Sequence, residues 1–147
     1  MKLLLTIAMT LTGALGLIAA GPIGLPQQQA PALTGGGYLQ LAQAADQATM
    51  IREGGPLYTR NCVMCHGANG QGGDGPKLAG NDYMKAAGAV ISQILVGAVE
   101  HGMPPFADAL NDREIAAVTA YVMNSFGNSF GGNATPDMVK AQRGPGG

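Results

Sequence analysis

The first hydrophobic pattern along the chain is a run of uncharged, mostly apolar residues at positions 3–20, preceded by Lys2. The small residues Ala19, Ala20 and Gly21 close this run. That order is typical of a cleavable secretory signal, so we predict a signal peptide over residues 1–20. A run of eighteen residues is also close to the lower limit for crossing a bilayer, which leaves an uncleaved membrane anchor as the alternative. Either way, we expect the remainder of the chain to be exported.

The next segment, residues 21–45, carries no charge and is interrupted by Pro22, Pro26, Pro31 and three consecutive glycines at 35–37. Pro and Gly at this density disfavour both helix and strand, so the pattern predicts a linker rich in Gly, Pro and Gln. We then expect one compact domain over residues 46–134. A C-terminal tail follows over 135–147, in which Thr135 caps a short helix that ends near Arg143.

Helical periodicity within the domain is clear in two places. Residues 88–97 place apolar side chains at the spacing of a half-buried helix. The best-specified helix begins at Asn111, because Asn111 and Glu114 are spaced as a capping box and Leu110 and Ile115 as a hydrophobic staple. Gly127 is expected to end it. An earlier helix is predicted to begin at residues 55–56, with Pro at its first position, and to run to residue 65.

Charge and composition exclude one class of function. Charged residues make up 12% of the 147 residues, and eight basic against nine acidic side chains give a formal net charge of −1. No cluster of Lys or Arg could attract a polyanion, so we expect no nucleic-acid partner. For the same reason, steering of a partner by complementary charge is expected to be weak.

The candidate chemistry begins at Cys62, Cys65 and His66, which form the Cys-x-x-Cys-His arrangement for covalent attachment of c-type haem. Two residues between the cysteines, on a helical turn, let both sulfurs reach one edge of a porphyrin while the imidazole points at the iron. A thioredoxin-type pair would need a preceding buried strand, which residues 56–61 do not resemble. A structural zinc site would need four ligands, for which the chain offers only these residues and His101.

A haem iron held by His66 needs a sixth ligand or an open position, and this choice decides the function. The candidates are His101, Met84, Met103, Met123 and Met138. We favour Met103 because two prolines follow it directly and fix the backbone beside its sulfur. His101 binds iron more strongly as a chemical group but is expected to face solvent in a less rigid loop.

From about residue 54 to 128 the chain resembles the class I cytochromes c of bacteria. The resemblance is carried by Cys65-His66-Gly67, by residues 75–80 (GPKLAG), by residues 102–106 (GMPPF) and by residues 114–122 (EIAAVTAYV). It implies an all-α fold in which three to five helices wrap one covalently bound haem. It also implies thioethers at Cys62 and Cys65, axial iron ligands at His66 and Met103, a Pro76 carbonyl that accepts a hydrogen bond from His66, and Leu78 packed on the haem.

The resemblance further implies an electron carrier rather than an enzyme, similar to the periplasmic cytochromes that serve quinoprotein dehydrogenases or haem–copper oxidases. Its partners would then be a dehydrogenase as donor and an oxidase or another cytochrome as acceptor, with membrane contact only if residues 1–20 stay attached. A haem subunit held tightly in a periplasmic oxidoreductase complex is the alternative. A gas-binding or peroxidatic haem protein is a third, which would require an open iron position.

Overall fold

A computed structural model of the protein describes residues 35–131 and 133–144; the predicted signal segment lies outside them. Within these ranges the chain forms five α-helices and two short 3₁₀ helices and no β-strand, so the predicted all-α fold is confirmed. The α-helices are α1 (Gly35–Asn61), α2 (Val63–His66), α3 (Ala87–Val96), α4 (Asp112–Asn124) and α5 (Pro136–Arg143). The 3₁₀ helices span Asp82–Lys85 and Val99–His101. No helix in the described ranges combines the length and the hydrophobicity that crossing a membrane requires.

Helix α1 is much longer than the sequence pattern predicts. It begins at Gly35, so residues 35–45 of the predicted linker are helical, and it continues through Pro56 instead of starting there. Residues 38–53 contain neither Gly nor Pro and are rich in Ala, Leu and Gln, which are strong helix formers. The exposed Pro56 removes only one N–H donor from the helix, and packing on α4 outweighs that loss.

The crossing of α1 and α4 forms the largest contact between two elements of the fold. Gly54 allows the two backbones to approach, because a Cβ atom on it would lie 2.1 Å from the carbonyl oxygen of Ala117. Beside this contact the rings of Tyr58, Tyr121 and Phe126 pack together, with centroids 5.0–5.5 Å apart. Gly54 and Tyr58 therefore form the close contact of α1 with α4.

Helix α4 begins as the sequence predicts. The Asn111 side chain accepts a hydrogen bond from the Glu114 backbone at 3.0 Å, and Glu114 accepts one from the Asn111 backbone at 2.9 Å, which completes the capping box. Leu110 and Ile115 are both buried in the core, as a staple requires. The helix ends at Asn124, before the expected Gly127, because Ser125 adopts an extended conformation at the C-cap.

Helix α5 corrects the prediction of a separate C-terminal tail. Thr135 caps it as expected, with Met138 N donating to Thr135 Oγ1 at 3.2 Å. However, α5 packs against α3 and α4, and Val139 is fully buried in the common core. Gln142 adds a hydrogen bond of 3.0 Å to the carbonyl oxygen of Gly88 in α3. Residues 136–143 therefore belong to the helical domain, since an amphipathic helix is stable when its apolar face is covered.

Candidate haem site

A cavity of about 670 Å³ opens beside the Cys-x-x-Cys-His motif. This volume lies within the range of about 300–1,000 Å³ that is usual for ligand and cofactor sites. All six residues that the sequence nominates line it: Cys62, Cys65, His66, Pro76, Leu78 and Met103. Much of the remaining wall is apolar and comes from the first 3₁₀ helix, α3, α4 and the loop after Met103, through Met84, Val90, Ile94, Phe106, Val118 and Val122.

The two cysteines lie where α1 passes into the single turn of α2. The amides of Cys65 and His66 both donate to the carbonyl oxygen of Cys62, at 3.2 and 2.9 Å, so the motif is wound as a helical turn. The two cysteines form no disulfide with each other, and both line the same cavity. Burial, with a smaller contribution from Cys65, raises the pKa of the Cys62 thiol to about 11. A reactive or metal-binding thiol usually has a lowered pKa, so this environment does not favour a thiolate nucleophile or a thiolate metal ligand at Cys62.

The imidazole of His66 is buried and its orientation is fixed by one backbone oxygen. His66 Nδ1 lies 2.9 Å from the Pro76 carbonyl oxygen. This contact assigns the proton to Nδ1 and leaves the lone pair of Nε2 available to a metal. Gly75 makes the contact possible, because a Cβ at that position would lie 2.8 Å from His66 Cε1.

The glycine-rich loop of residues 67–80 is held by buried hydrogen bonds. The Gly70 carbonyl accepts from the amides of Leu78 and Ala79, at 2.8 and 2.9 Å. Asn128 is a residue that sequence reasoning missed. Its buried side chain accepts from Gly80 N at 2.7 Å and donates to the carbonyl oxygens of Leu78 and Val122, at 3.1 and 2.7 Å. Asn128 thus connects the Leu78 segment of the cavity wall to α4 through hydrogen bonds.

Met103 reaches the cavity from a loop with its own backbone pairing. The amide of Met103 donates to the Ala98 carbonyl at 3.1 Å, and the amide of Ala98 donates back at 2.9 Å. Phe106 N donates to the carbonyl oxygen of Ile94 in α3 at 3.0 Å. Gln93, which the sequence did not single out, donates from Nε2 to the Gly97 carbonyl at 2.8 Å and lies 3.8 Å from Met103 Sδ.

The other candidates for a sixth ligand divide into two groups. Met84 and His101 also line the cavity, Met84 as a buried side chain and His101 as an exposed one at the edge. Met123 is fully buried and Met138 packs against the core, and neither is among the residues that line the cavity. The expectation that His101 is exposed is confirmed.

An all-α fold, a helical Cys-x-x-Cys-His turn and an apolar cavity with an oriented histidine define a class I c-type cytochrome. Comparison with known proteins agrees. The family model described as cytochrome c oxidase, cbb3-type, subunit III matches residues 49–122, and the chain belongs to this family. The protein accordingly carries covalently bound haem c with its iron.

Two kinds of curated relatives are similar to the chain. The cbb3-type cytochrome c oxidase subunit FixP of Sinorhizobium medicae (strain WSM419) is 26% identical over 132 residues, which cover 76% of this chain and 46% of that protein. The cytochrome c6 of Thermostichus vulcanus is 30% identical over 98 residues, which cover 65% of this chain and 87% of that protein. The chain therefore spans less than half the length of the oxidase subunits that it matches.

The residues present fit a haem. The cavity has the volume of a cofactor site and a largely apolar lining, both cysteines open onto it, and the imidazole is already oriented. Gly75 lies so close to the His66 ring that position 75 has no room for a Cβ atom, so the loop packs directly against the imidazole.

Proposed function

We propose that this protein transfers single electrons in the periplasm on one haem, with thioethers at Cys62 and Cys65 and axial ligands from His66 and Met103. The observation that carries the proposal is that one apolar cavity collects both cysteines, an oriented imidazole and a thioether sulfur. The haem supplies a one-electron Fe(III)/Fe(II) couple, and a His/Met ligand pair is known to raise its potential. The protein supplies orientation and exclusion of water.

The choice of Met103 over Met84 and His101 is supported by the backbone around each residue. Met103 is paired with Ala98 through two hydrogen bonds and is followed by two prolines. A weak iron–sulfur bond benefits from such a fixed position, because little conformational entropy is then lost when the bond forms. His101 is exposed, and Met84 packs within the hydrophobic core.

The remaining site residues would keep this geometry constant while the charge of the iron changes. The Pro76 carbonyl would hold the His66 ring through Nδ1, and Leu78 would cover part of the haem. Neither contact requires a proton or a ligand to move when an electron arrives. We therefore assign no catalytic residue and regard the chain as an electron carrier and not an enzyme in its own right.

A haem subunit of an oxidase complex is the second candidate function, favoured by the family match and by the relatives named as oxidase subunits. In both cases the partners would be redox proteins, with a dehydrogenase or cytochrome as donor and an oxidase or another cytochrome as acceptor. We propose that residues 1–20 are a cleaved signal and that the cytochrome domain begins within α1. If residues 1–20 are retained, they would anchor the protein to the membrane on its periplasmic side.

The ligand assignment is tested by the near-infrared band that ferric haem shows when methionine sulfur binds it. The holoprotein should show this band near neutral pH. Met103→Ala should abolish the band and lower the reduction potential, whereas Met84→Ala and His101→Ala, as matched controls, should leave the band in place. Loss of the band in Met84→Ala alone would contradict the assignment, and a wild-type spectrum without the band would favour His101 as the ligand or an open iron position.

The carrier and the subunit are distinguished in the native host. A carrier should appear in the periplasmic fraction with an intact mass that lacks residues 1–20. A subunit should remain with an oxidase through detergent extraction and chromatography. Full-length protein found only in washed membranes, without an oxidase, would identify an anchored carrier.

A further inference from the structure

The C-terminal helix ends in a side chain that crosses to the segment following Met103. Arg143 donates from Nε to Asp112 Oδ1 at 2.5 Å and from Nη2 to the Leu110 carbonyl oxygen at 2.6 Å. Its Nη1 donates to the carbonyl oxygen of Ala107. All three guanidinium nitrogens are therefore used, and all three acceptors lie in residues 107–112.

This arrangement differs from the usual role of a basic residue in the last turn of a helix. Such a residue ordinarily interacts with the carbonyls of its own helix and with the helix dipole. The Arg143 side chain is only 11% exposed and is directed away from α5. A buried guanidinium requires paired donors, and its planar fork binds several oxygens at once in a way that a lysine ammonium does not.

Residues 107–112, which bond to Arg143, directly follow residues 102–106, the Met103 loop. At its front, this loop is fixed by the Met103–Ala98 pair and by Phe106 N on the Ile94 carbonyl. Behind Phe106, the described hydrogen bonds of residues 107–110 are two local turns back to the Phe106 carbonyl and the contacts to Arg143. Movement of Met103 away from the cavity, with residues 104–110, would have to break the contacts to Arg143.

We propose that Arg143 is a positioning residue that keeps the Met103 loop closed over the cavity. Through this side chain, α5 would help to retain the iron–sulfur bond. The proposal rests on Met103 being the sixth ligand. It assigns to the C-terminal helix a part in ligand retention, in addition to its packing on α3 and α4.

The test measures how readily free imidazole displaces the methionine in the ferric holoprotein. Because an added ligand binds only the open form, its apparent affinity rises in proportion to the open fraction. Arg143→Lys and Arg143→Gln should bind imidazole about tenfold more tightly than wild type, which corresponds to about 1.4 kcal/mol. The amides of Phe106 and Leu110 should exchange their hydrogens correspondingly faster.

A variant of the same helix serves as the matched control. Gln142→Ala removes a hydrogen bond from α5 to α3 at an exposed side chain. Gln142 forms no described hydrogen bond to residues 107–112, so this variant should bind imidazole nearly as wild type does. The proposal is refuted if the Arg143 variants match wild type, or if Gln142→Ala tightens imidazole binding as much as they do.

Two further outcomes are distinguished from these. If Met103→Ala retains the methionine band, the ligand assignment fails, and this result does not depend on Arg143. If neither Arg143 variant folds, hydrogen exchange on the wild-type holoprotein decides. The amides of Phe106, Leu110 and Val139 should then show one common opening constant, and separate opening of α5 and the loop would overturn the proposal.

Discussion

The close crossing of α1 and α4 predicts how much stability the protein loses when one methyl group is added at Gly54. Gly54→Ala adds a Cβ that would lie 2.1 Å from Ala117 O and 2.6 Å from Tyr121 Cβ. An ordinary contact between carbon and oxygen is about 3.3 Å or longer, so the two helices would have to separate by about 1 Å. The obstacle is a backbone carbonyl, which cannot move unless α4 moves with it.

The expected loss of stability follows from two opposing contributions. Alanine favours the helix by about 1 kcal/mol relative to glycine. Overpacking in a well-packed site costs about 1–3 kcal/mol and sometimes more. A radial gap of 0.5–1 Å also forfeits roughly a quarter to a half of each dispersion contact across the interface. Because the obstacle is rigid, we take the upper end of the overpacking cost, and after the gain from alanine we expect Gly54→Ala to lower the free energy of unfolding by about 2 kcal/mol.

Two glycines of the same helix provide matched controls for urea unfolding of the ferric holoprotein, followed by circular dichroism. At Gly55 the added Cβ would meet only the Tyr121 ring, at 3.3 Å, and at Gly36 it would meet nothing within 4 Å. Gly55→Ala should change stability by less than about 1 kcal/mol, and Gly36→Ala should be neutral or stabilising. The reasoning is refuted if Gly54→Ala proves as stable as Gly55→Ala.

Three further predictions concern single side chains. Asn128→Ala should lower the free energy of unfolding by about 3 kcal/mol in the same urea assay, because two buried carbonyl oxygens and the partly buried Gly80 amide lose their partner; a loss below about 1 kcal/mol would contradict this. Gln93→Leu should lower the reduction potential in a redox titration, because it removes an N–H dipole directed at the sulfur of Met103; a higher potential would show that the polarity of the amide acts in the opposite sense. The Arg113 guanidinium, hydrogen-bonded to Glu53 at 2.9 Å, lowers the pKa of that carboxyl below 4.5, so the stabilisation is present above pH 4.5 and is lost as the pH falls through the folded-state pKa. Glu53→Gln should therefore unfold at a slightly lower temperature than wild type at neutral pH and at the same temperature well below pH 4.5; a difference that persists in acid would assign the effect to packing.

The features that the sequence predicted are those with local signals. The capping box at Asn111 and Glu114 uses residues three apart, and the helical period over α3 lies within ten residues. The haem motif is likewise a single turn. In each case the interacting groups are close in the chain, so the residue pattern alone specifies the geometry.

The features that the sequence did not reveal depend on contacts between distant segments. Asn128 bonds to Gly80 across 48 positions, and Arg143 bonds to Leu110 across 33. Neither contact can be recognised from a periodic pattern in the sequence. Other polar residues near a turn or a helix end have a similar sequence context but do not make such contacts. The extent of α1 differs for another reason. The residue pattern predicts a linker up to residue 45 and a helix that begins at residues 55–56, but the helix formers of residues 38–53 and packing on α4 produce one continuous helix, Gly35–Asn61.

Helix α1 also fixes the direction of the side chains at its start relative to the haem motif at its end. It spans 27 residues, or about 40 Å along its axis, and it exposes Tyr38, Leu39 and Leu41 near its start while Cys62 follows its last residue. Each residue inserted between these ends would turn the exposed side chains by about 100° around the axis and move them by about 1.5 Å. One added residue would therefore face them in a different direction relative to the haem cavity. Seven added residues would nearly restore the direction of these side chains at a distance about 10 Å greater. The length of α1 therefore fixes both the direction and the distance of Tyr38, Leu39 and Leu41 relative to the haem cavity.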